Sequence, residues 1–371
     1  MGAKQVLAVI AACVALHAAA QTPTQTQTQT PTPTPTQAQA QTQTPTPTQA
    51  PAQVTRELAD AARREGTLTL YSSMVDKDLR RLVAEFERRY AVRVNVWRSG
   101  KAKVLQRVVA EARAGRNEVD VVHNPSVAME ALHREKLLQP VDSPLHATLI
   151  PEAVAPHREW AGPRVYIFVN GFNTARVKRE ELPRSYADLL DPRWKGRLSI
   201  EGKEQEWFVT LVRAMGEEKG MRFFRELVAT NGISVRMGNS QIVNLIAAGE
   251  VPFSLALYSY LPEQAKRAGA PVDWIALAPT VAATDGIGIA KRAPHPNAAL
   301  LFYEFMLGDG LAIMEELGHV VSSRARASQL TPFNLTFIDP AAIISDYDRW
   351  TRLYEETLQG RAPVATPLRT P

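Results

Sequence analysis

The sequence predicts an α/β fold organised as two units. Short apolar strand segments alternate with amphipathic helical segments along most of the chain, and this alternation indicates parallel sheets covered by helices on both faces. The part of the chain that shows this pattern begins near Val54 and is long enough for two domains rather than one.

Three strand segments, each followed by a helix, make up the first unit. Strand patterns cover residues 67–71, 92–97 and 119–122. Residues 76–90 and 101–114 carry apolar side chains at helical spacing, and a third helix follows Ser126. Ligands bind beyond the carboxyl ends of such parallel strands, so we expect a binding site where these strands end.

The second unit repeats the pattern. It has strand segments at residues 165–170, 197–200, 234–237 and 253–257. The chain then returns to the first unit near residues 285–290, and helices at 297–307 and 310–317 follow.

Polar and aromatic side chains at these strand ends and helix starts are the candidate ligand residues. They are Ser72, Ser73, Asn124 and Ser126 in the first unit, and Glu204, Trp207, Ser240, Tyr258 and Tyr260 in the second. Each also has an ordinary structural explanation. The serines and Asn124 can cap helices, and Glu204 can be a solvated loop charge. Tyr258 and Tyr260 can pack with the hydroxyl in water, and Trp207 can be a core residue at a helix start.

The N-terminus predicts export. Residues 1–20 combine Lys4, an apolar run and Ala18 to Ala20 before Gln21, which is the pattern of a cleaved signal peptide. Residues 21–54 are almost only Thr, Pro, Gln and Ala and predict a disordered linker. Ile10 to Cys13 also resembles a lipoprotein box, but the apolar stretch before Cys13 is short. We therefore expect a cleaved, periplasmic protein.

Composition and motifs exclude several function classes. The formal net charge is +5, and basic and acidic residues alternate, so nucleic-acid binding is not expected. Nucleotide-binding, hydrolase and zinc-protease motifs are absent from the sequence, so neither an enzyme nor a resident cofactor is expected. Cys13 is the sole cysteine and falls in the signal, so the mature protein has no thiol chemistry.

Several segments resemble the extracellular solute-binding proteins of ABC importers, closest to the ferric-iron type. The most specific is residues 182–197, Leu-Pro-Arg-Ser-Tyr-Ala-Asp-Leu-Leu-Asp-Pro-Arg-Trp-Lys-Gly-Arg, and residues 70–73 and 295–299 also match. The resemblance implies a type II periplasmic-binding-protein fold, in which two doubly wound lobes are joined by a two-strand hinge and enclose a ligand cleft.

On that resemblance, lobe 1 spans residues 55–167, lobe 2 spans 168–284, and 285–371 returns to lobe 1 with a C-terminal helical segment. The hinge is expected near residues 168–172 and 280–285. A membrane permease is the expected partner of a monomeric receptor. A solute sensor for a membrane signalling protein is the alternative.

The sequence is compatible with two classes of ligand. Iron-binding relatives use adjacent tyrosines, often with a His and a Glu, whereas Ser259 separates Tyr258 from Tyr260 here. Met74 and Asn124 fall where a His and a Glu can stand. We therefore expect a small polar or anionic solute first, and Fe³⁺ with a synergistic anion second, in which case Tyr260 and Tyr258 would be metal ligands.

Overall fold

The structure, a computed structural model, describes residues 55–359. The expected signal peptide, Cys13 and the linker lie outside these residues. The strands are β1 (Thr67–Ser72), β2 (Arg93–Arg98), β3 (Val121–Pro125), β4 (Leu138–Gln139), β5 (Arg164–Asn173), β6 (Leu198–Glu201), β7 (Ser234–Arg236), β8 (Phe253–Tyr258), β9 (Val272–Ile275), β10 (Thr280–Ala290), β11 (Val320–Val321) and β12 (Leu335–Phe337). The α-helices are α1 (Arg56–Glu65), α2 (Asp76–Tyr90), α3 (Lys101–Arg113), α4 (Ser126–Arg134), α5 (Gln205–Ala214), α6 (Glu217–Asn231), α7 (Asn239–Ala247), α8 (Tyr260–Arg267), α9 (Pro296–Leu307), α10 (Asp309–Glu316), α11 (Pro340–Ser345) and α12 (Tyr347–Gln359).

The first lobe is built on a sheet with strand order β2, β1, β3 and β10. β1 runs parallel to both of its neighbours, and β10 runs antiparallel to β3. Helix α2 buries Leu79, Leu82 and Phe86, the apolar face that its sequence spacing predicts. This packing fixes the carboxyl ends of β1, β2 and β3 along one edge.

The second lobe has the strand order β5, β8, β6 and β7, and β9 also pairs with β5. β6 runs parallel to β7 and β8, whereas β5 runs antiparallel to β8 and β9. Helix α5, which follows β6, is buried from Gln205 through Val212. Neighbouring elements therefore enclose most of this helix.

Two long strands connect the lobes. β5 pairs with β10 through Val165 to Ile167 and then with β8 from Phe168 onward. β10 pairs with β5 through Ala282 to Thr284 and then with β3 from Asp285 onward. Each strand therefore contributes one end to each lobe, and the segments expected to form the hinge lie within these strands.

The C-terminal segment spans both lobes, although the sequence assigns residues 285–371 to the first. β12 pairs with β10, and Arg134 of α4 donates a hydrogen bond to the Ala341 carbonyl of α11. Helix α12 instead packs on α5 and α6, with Trp350 and Tyr354 buried and the Tyr354 ring 5.4 Å from that of Phe208. These aromatic side chains draw the helix to the second lobe, because they find apolar partners there.

Within residues 55–359 no single helix is long and apolar enough to cross a membrane. Helices α9 and α10 reach the necessary length and composition only as a pair, with a bend of 50° between them. Most of the α9 side chains are buried inside the first lobe, where they serve as core.

Candidate functional site

A cavity of about 670 Å³ lies between the two lobes. The ends of β1 and β2 and the start of α3 line it from the first lobe. The ends of β6 and β8 and the starts of α7 and α8 line it from the second. Strand ends and helix starts of both lobes thus face one space, which we call the inter-lobe cleft.

The candidate residues fall into two groups in the structure. The cleft is lined by Ser73, Glu204, Ser240, Tyr258 and Tyr260. The remaining four are buried outside this lining and are Ser72, Asn124, Ser126 and Trp207.

The residues outside the lining have identifiable structural roles. Trp207 belongs to the second-lobe core, where its ring lies 5.8 Å from that of Phe224. Asn124 donates a hydrogen bond of 3.0 Å to the Lys101 carbonyl and so fixes the start of α3. Ser126 is the first residue of α4 and is buried there. Ser72 accepts a hydrogen bond from the backbone N–H of Met74.

A buried charge network stands directly behind the cleft. Asp285 accepts a hydrogen bond from Arg164 Nε at 2.6 Å, and its Oδ2 lies 2.7 Å from Nε2 of His123. Nδ1 of His123 in turn lies 3.1 Å from the hydroxyl of Ser72. Burial alone would raise the pKa of Asp285, but Arg164 and His123 outweigh it and hold the pKa below its usual value.

The network continues toward α2 through His319. Burial and the nearby Arg164 lower the pKa of His319 to about 4, so its imidazole is neutral at neutral pH. Its Nε2 lies 2.8 Å from Oδ2 of Asp78, and Arg164 Nη1 lies 3.2 Å from its Nδ1. The Asp78 carboxylate can only accept a hydrogen bond, which assigns the ring proton to Nε2. The network ties β5, β10 and α2 together where the lobes join.

Basic side chains in the cleft were not among the sequence candidates. Five of them line it: Arg98, Lys101, Lys103, Arg164 and Lys203. The acidic lining residues are Glu201 and Glu204. In sequence these cations resemble ordinary solvated charges, and only the folded arrangement shows that they face one cavity.

Lys101 connects the two lobes directly. Its Nζ lies 2.7 Å from Oε2 of Glu206 and 3.9 Å from Oε2 of Glu204. Burial alone would lower the pKa of Lys101, but the two carboxylates outweigh it and raise the pKa well above its ordinary value. Burial raises the pKa of Glu204 to about 7, against the attraction of Lys101.

Three tyrosines form an aromatic wall of the cleft. The rings of Tyr166 and Tyr258 lie 4.8 Å apart, and those of Tyr258 and Tyr260 lie 6.3 Å apart. Tyr258 donates to Oε1 of Glu204 at 3.0 Å, and Arg164 donates to the Tyr166 hydroxyl at 2.8 Å. Burial raises the pKa of Tyr260 to about 12 and raises those of Tyr166 and Tyr258 well above their ordinary value. These phenols therefore stay protonated at neutral pH.

Two helices present free backbone amides to the cleft. α3 and α7 begin after Gly100 and Gly238, and neither N-cap has a side chain that accepts a hydrogen bond from the first turn. Residues of both first turns line the cavity. Such helix starts attract anions, because their N–H groups point outward and the helix dipole is positive there.

Residues 119–322 match the family described as bacterial extracellular solute-binding protein. The chain belongs to this family. Membership makes it a solute-binding transport protein and not an enzyme, as the sequence resemblance implies.

Curated relatives and solved structures agree with that assignment. The chain is 26% identical over 269 residues to iron uptake protein A1 of Synechocystis, covering 68% of this chain and 74% of the relative. It is 27% identical to the Fe(3+)-binding periplasmic protein of Serratia marcescens, covering 55% of this chain and 60% of that protein's length. Its fold matches AfuA from Actinobacillus pleuropneumoniae with a TM-score of 0.70 and 20% identity, covering 80% of this chain and 99% of AfuA. The likeness confirms the expected type II fold.

Proposed function

We propose that this protein captures a small organic anion in the inter-lobe cleft and delivers it to the membrane permease of an ABC importer. The observation that carries the proposal is the convergence of five basic side chains and two uncapped helix starts on one cavity. An anionic group bound there would contact both lobes. Contacts that exist only when the lobes are together stabilise the closed form, and this difference drives closure.

Hydrogen-bond acceptors in the cleft indicate which groups the ligand carries besides its anionic group. Oδ1 of Asn239 and Oε2 of Glu204 are buried and have no hydrogen-bond partner among the described residues. Both sit on the second-lobe side of the cavity. Buried acceptors that receive no hydrogen bond favour a ligand that donates one, so a hydroxylated carboxylate or phosphate fits better than a simple inorganic anion.

Mass spectrometry tests the ligand class. Native spectra of freshly purified protein should show a bound organic anion, and spectra of the denatured protein should show its release. Lys103→Gln should weaken rebinding of the released compound about tenfold, the loss of roughly one charge-assisted hydrogen bond. Lys77→Gln is the matched control, since Lys77 is exposed and lies outside the cleft. Equal affinity of both variants would contradict the proposal.

Ferric ion with an accompanying anion is the second candidate. The tyrosine wall of Tyr166, Tyr258 and Tyr260, with Glu204 beside it, offers the hard oxygen donors that Fe³⁺ prefers. Two of the relatives are named for iron. A stoichiometric iron with a visible charge-transfer band that Tyr260→Phe abolishes would establish this candidate and reject the first.

The proposal also covers where the protein is exported and its oligomeric state. We propose cleavage after Ala20, release into the periplasm and action as a monomer that does not bind nucleic acid. N-terminal sequencing and light scattering test these statements, and an acylated Cys13 would show a lipoprotein instead. Permease and ATPase genes beside this one favour transport, whereas a neighbouring histidine-kinase gene favours the sensory alternative.

A further inference from the structure

A second cluster of metal-binding side chain types lies in the first lobe, outside the cleft lining. Glu130 and His133 stand three residues apart on α4, and His157 and Glu159 stand two apart in the loop before β5. Residues three apart on a helix share one face. Helical Glu-x-x-His pairs present two ligands to one metal in this way.

The donor atoms of three of these residues are close together. One donor atom each from Glu130, His133 and His157 lies within 4.8 Å of the other two. Nε2 of His157 is 3.2 Å from Oε2 of Glu130, and the two imidazole rings stack with centroids 3.5 Å apart. Two donors on a tetrahedral Zn²⁺ are about 3.4 Å apart, so small side-chain rotations bring all three to one ion.

Two further atoms in the cluster are buried without a hydrogen bond. Nδ1 of His133 lies 2.9 Å from Oε2 of Glu159, and neither atom makes a hydrogen bond. Buried polar atoms without a hydrogen bond are costly in a folded protein. A metal ion on the cluster would explain the position of Glu159. The ring nitrogen of a metal-bound histidine that does not bind the metal commonly donates a hydrogen bond to a carboxylate.

We propose that Glu130, His133 and His157 bind one divalent transition-metal ion of the Zn²⁺ class, with Glu159 orienting His133. The ion would connect α4 to the loop before β5. Ala161 of this loop forms a backbone bridge with Ile287 of β10. This site uses none of the residues that line the cleft. Its metal binding can therefore be measured separately from binding of the transported solute.

The affinity should be moderate. Nδ1 of His157 accepts a hydrogen bond of 3.1 Å from the Glu159 amide. Binding a metal through Nε2 moves the ring proton to Nδ1 and breaks that bond, and the stacked rings must tilt apart. We expect a Kd on the order of 1 µM for Zn²⁺ rather than the tighter values of preformed structural sites.

Calorimetric titration of the tag-free full chain with Zn²⁺ tests the site. One equivalent should bind, and His133→Gln and His157→Gln should each raise the Kd at least about 100-fold, whereas Glu159→Gln should raise it about tenfold. His146→Gln is the matched control. His146 lies in the same lobe, with its Nε2 2.7 Å from the Tyr303 hydroxyl, and it lies outside the cluster.

Two additional readouts separate this site from the cleft and from folding defects. Cu²⁺ should quench Trp160, whose ring lies 6.2 Å from that of His157, and Trp160→Phe should remove that signal. Tyr258→Phe should leave the Zn²⁺ affinity unchanged. If a histidine variant does not fold, Glu130→Gln replaces it. Absence of Zn²⁺ binding, unchanged affinity in the cluster variants, or equal loss in His146→Gln would overturn the proposal.

Discussion

Lys101→Met should open the cleft without unfolding either lobe. Lys101 Nζ lies 2.7 Å from a Glu206 oxygen and 3.9 Å from a Glu204 oxygen. At an effective dielectric constant of about 20, these distances correspond to attractions of about 6 and 4 kcal/mol. The Lys101 side chain is 20% exposed, and desolvation opposes the attraction. The net loss on breaking such a pair is therefore about 3 kcal/mol.

The loss of about 3 kcal/mol destabilises only the closed form, because in the open form both carboxylates are exposed to water. A change of about 3 kcal/mol shifts the ratio of closed to open molecules about 150-fold. Small-angle X-ray scattering of the ligand-free protein should show a larger radius of gyration for Lys101→Met. Urea unfolding should show a free energy of unfolding lowered by no more than about 3 kcal/mol, because the open form stays folded.

Lys103→Met is the control for this experiment, since Lys103 lines the same cleft and forms no ion pair among the described residues. Its radius of gyration should equal that of the wild type. If Lys101→Met also scatters like the wild type, the ion pair does not hold the lobes together and the reasoning is wrong.

Three further predictions concern stability. Burial raises the pKa of Glu204 from 4.5 to about 7. The contribution of Glu204 to the free energy of unfolding is therefore complete below pH 4.5 and is lost as the pH rises to about 7. This loss is about 3 kcal/mol. Urea unfolding across that range should show a smaller decline for Glu204→Gln, and an identical decline would contradict the assignment. Asp285→Ala leaves the buried Arg164 guanidinium without its carboxylate and should lower the free energy of unfolding by about 3–5 kcal/mol; a loss under 1 kcal/mol would show that the network is dispensable. Trp350→Ala should cost about 3–5 kcal/mol in urea unfolding, because this side chain is 1% exposed, and a neutral result would mean that α12 is not docked on the second lobe.

Local periodicity predicted much of the secondary structure. The helix expected over residues 76–90 is α2, and the helix expected over 101–114 ends one residue earlier as α3. These segments have apolar side chains on one face only, so their pattern is visible without knowledge of their neighbours. Helix α8, which begins at Tyr260 directly after β8, was not predicted from the sequence. The contacts that determine this turn come from distant segments.

The cleft was harder to predict than the fold because it depends on how the lobes meet. Trp207 lies in the first turn of α5, after β6, where cleft residues are expected, yet neighbouring elements enclose it and it is 1% exposed. Lys101 and Arg98 look like surface charges in sequence, and they become cleft residues only when β2, α3 and the second lobe come together. The residue types at strand ends and helix starts indicated candidate ligand residues. Which of these side chains face the cleft depends on long-range packing.

Charge balance bears on the choice between the two ligand chemistries. The five basic and two acidic lining residues leave an excess of three positive charges, which falls to one when the paired Glu206 and Asp285 are included. A small anion reduces this excess, whereas Fe³⁺ adds three charges unless phenols or other acids lose protons. In the ligand-free cleft the tyrosines carry no charge, because burial has raised their pKa values. An accompanying anion would offset part of the ferric charge in this basic cleft, so anion recruitment is the property that both candidates share and that the basic side chains supply.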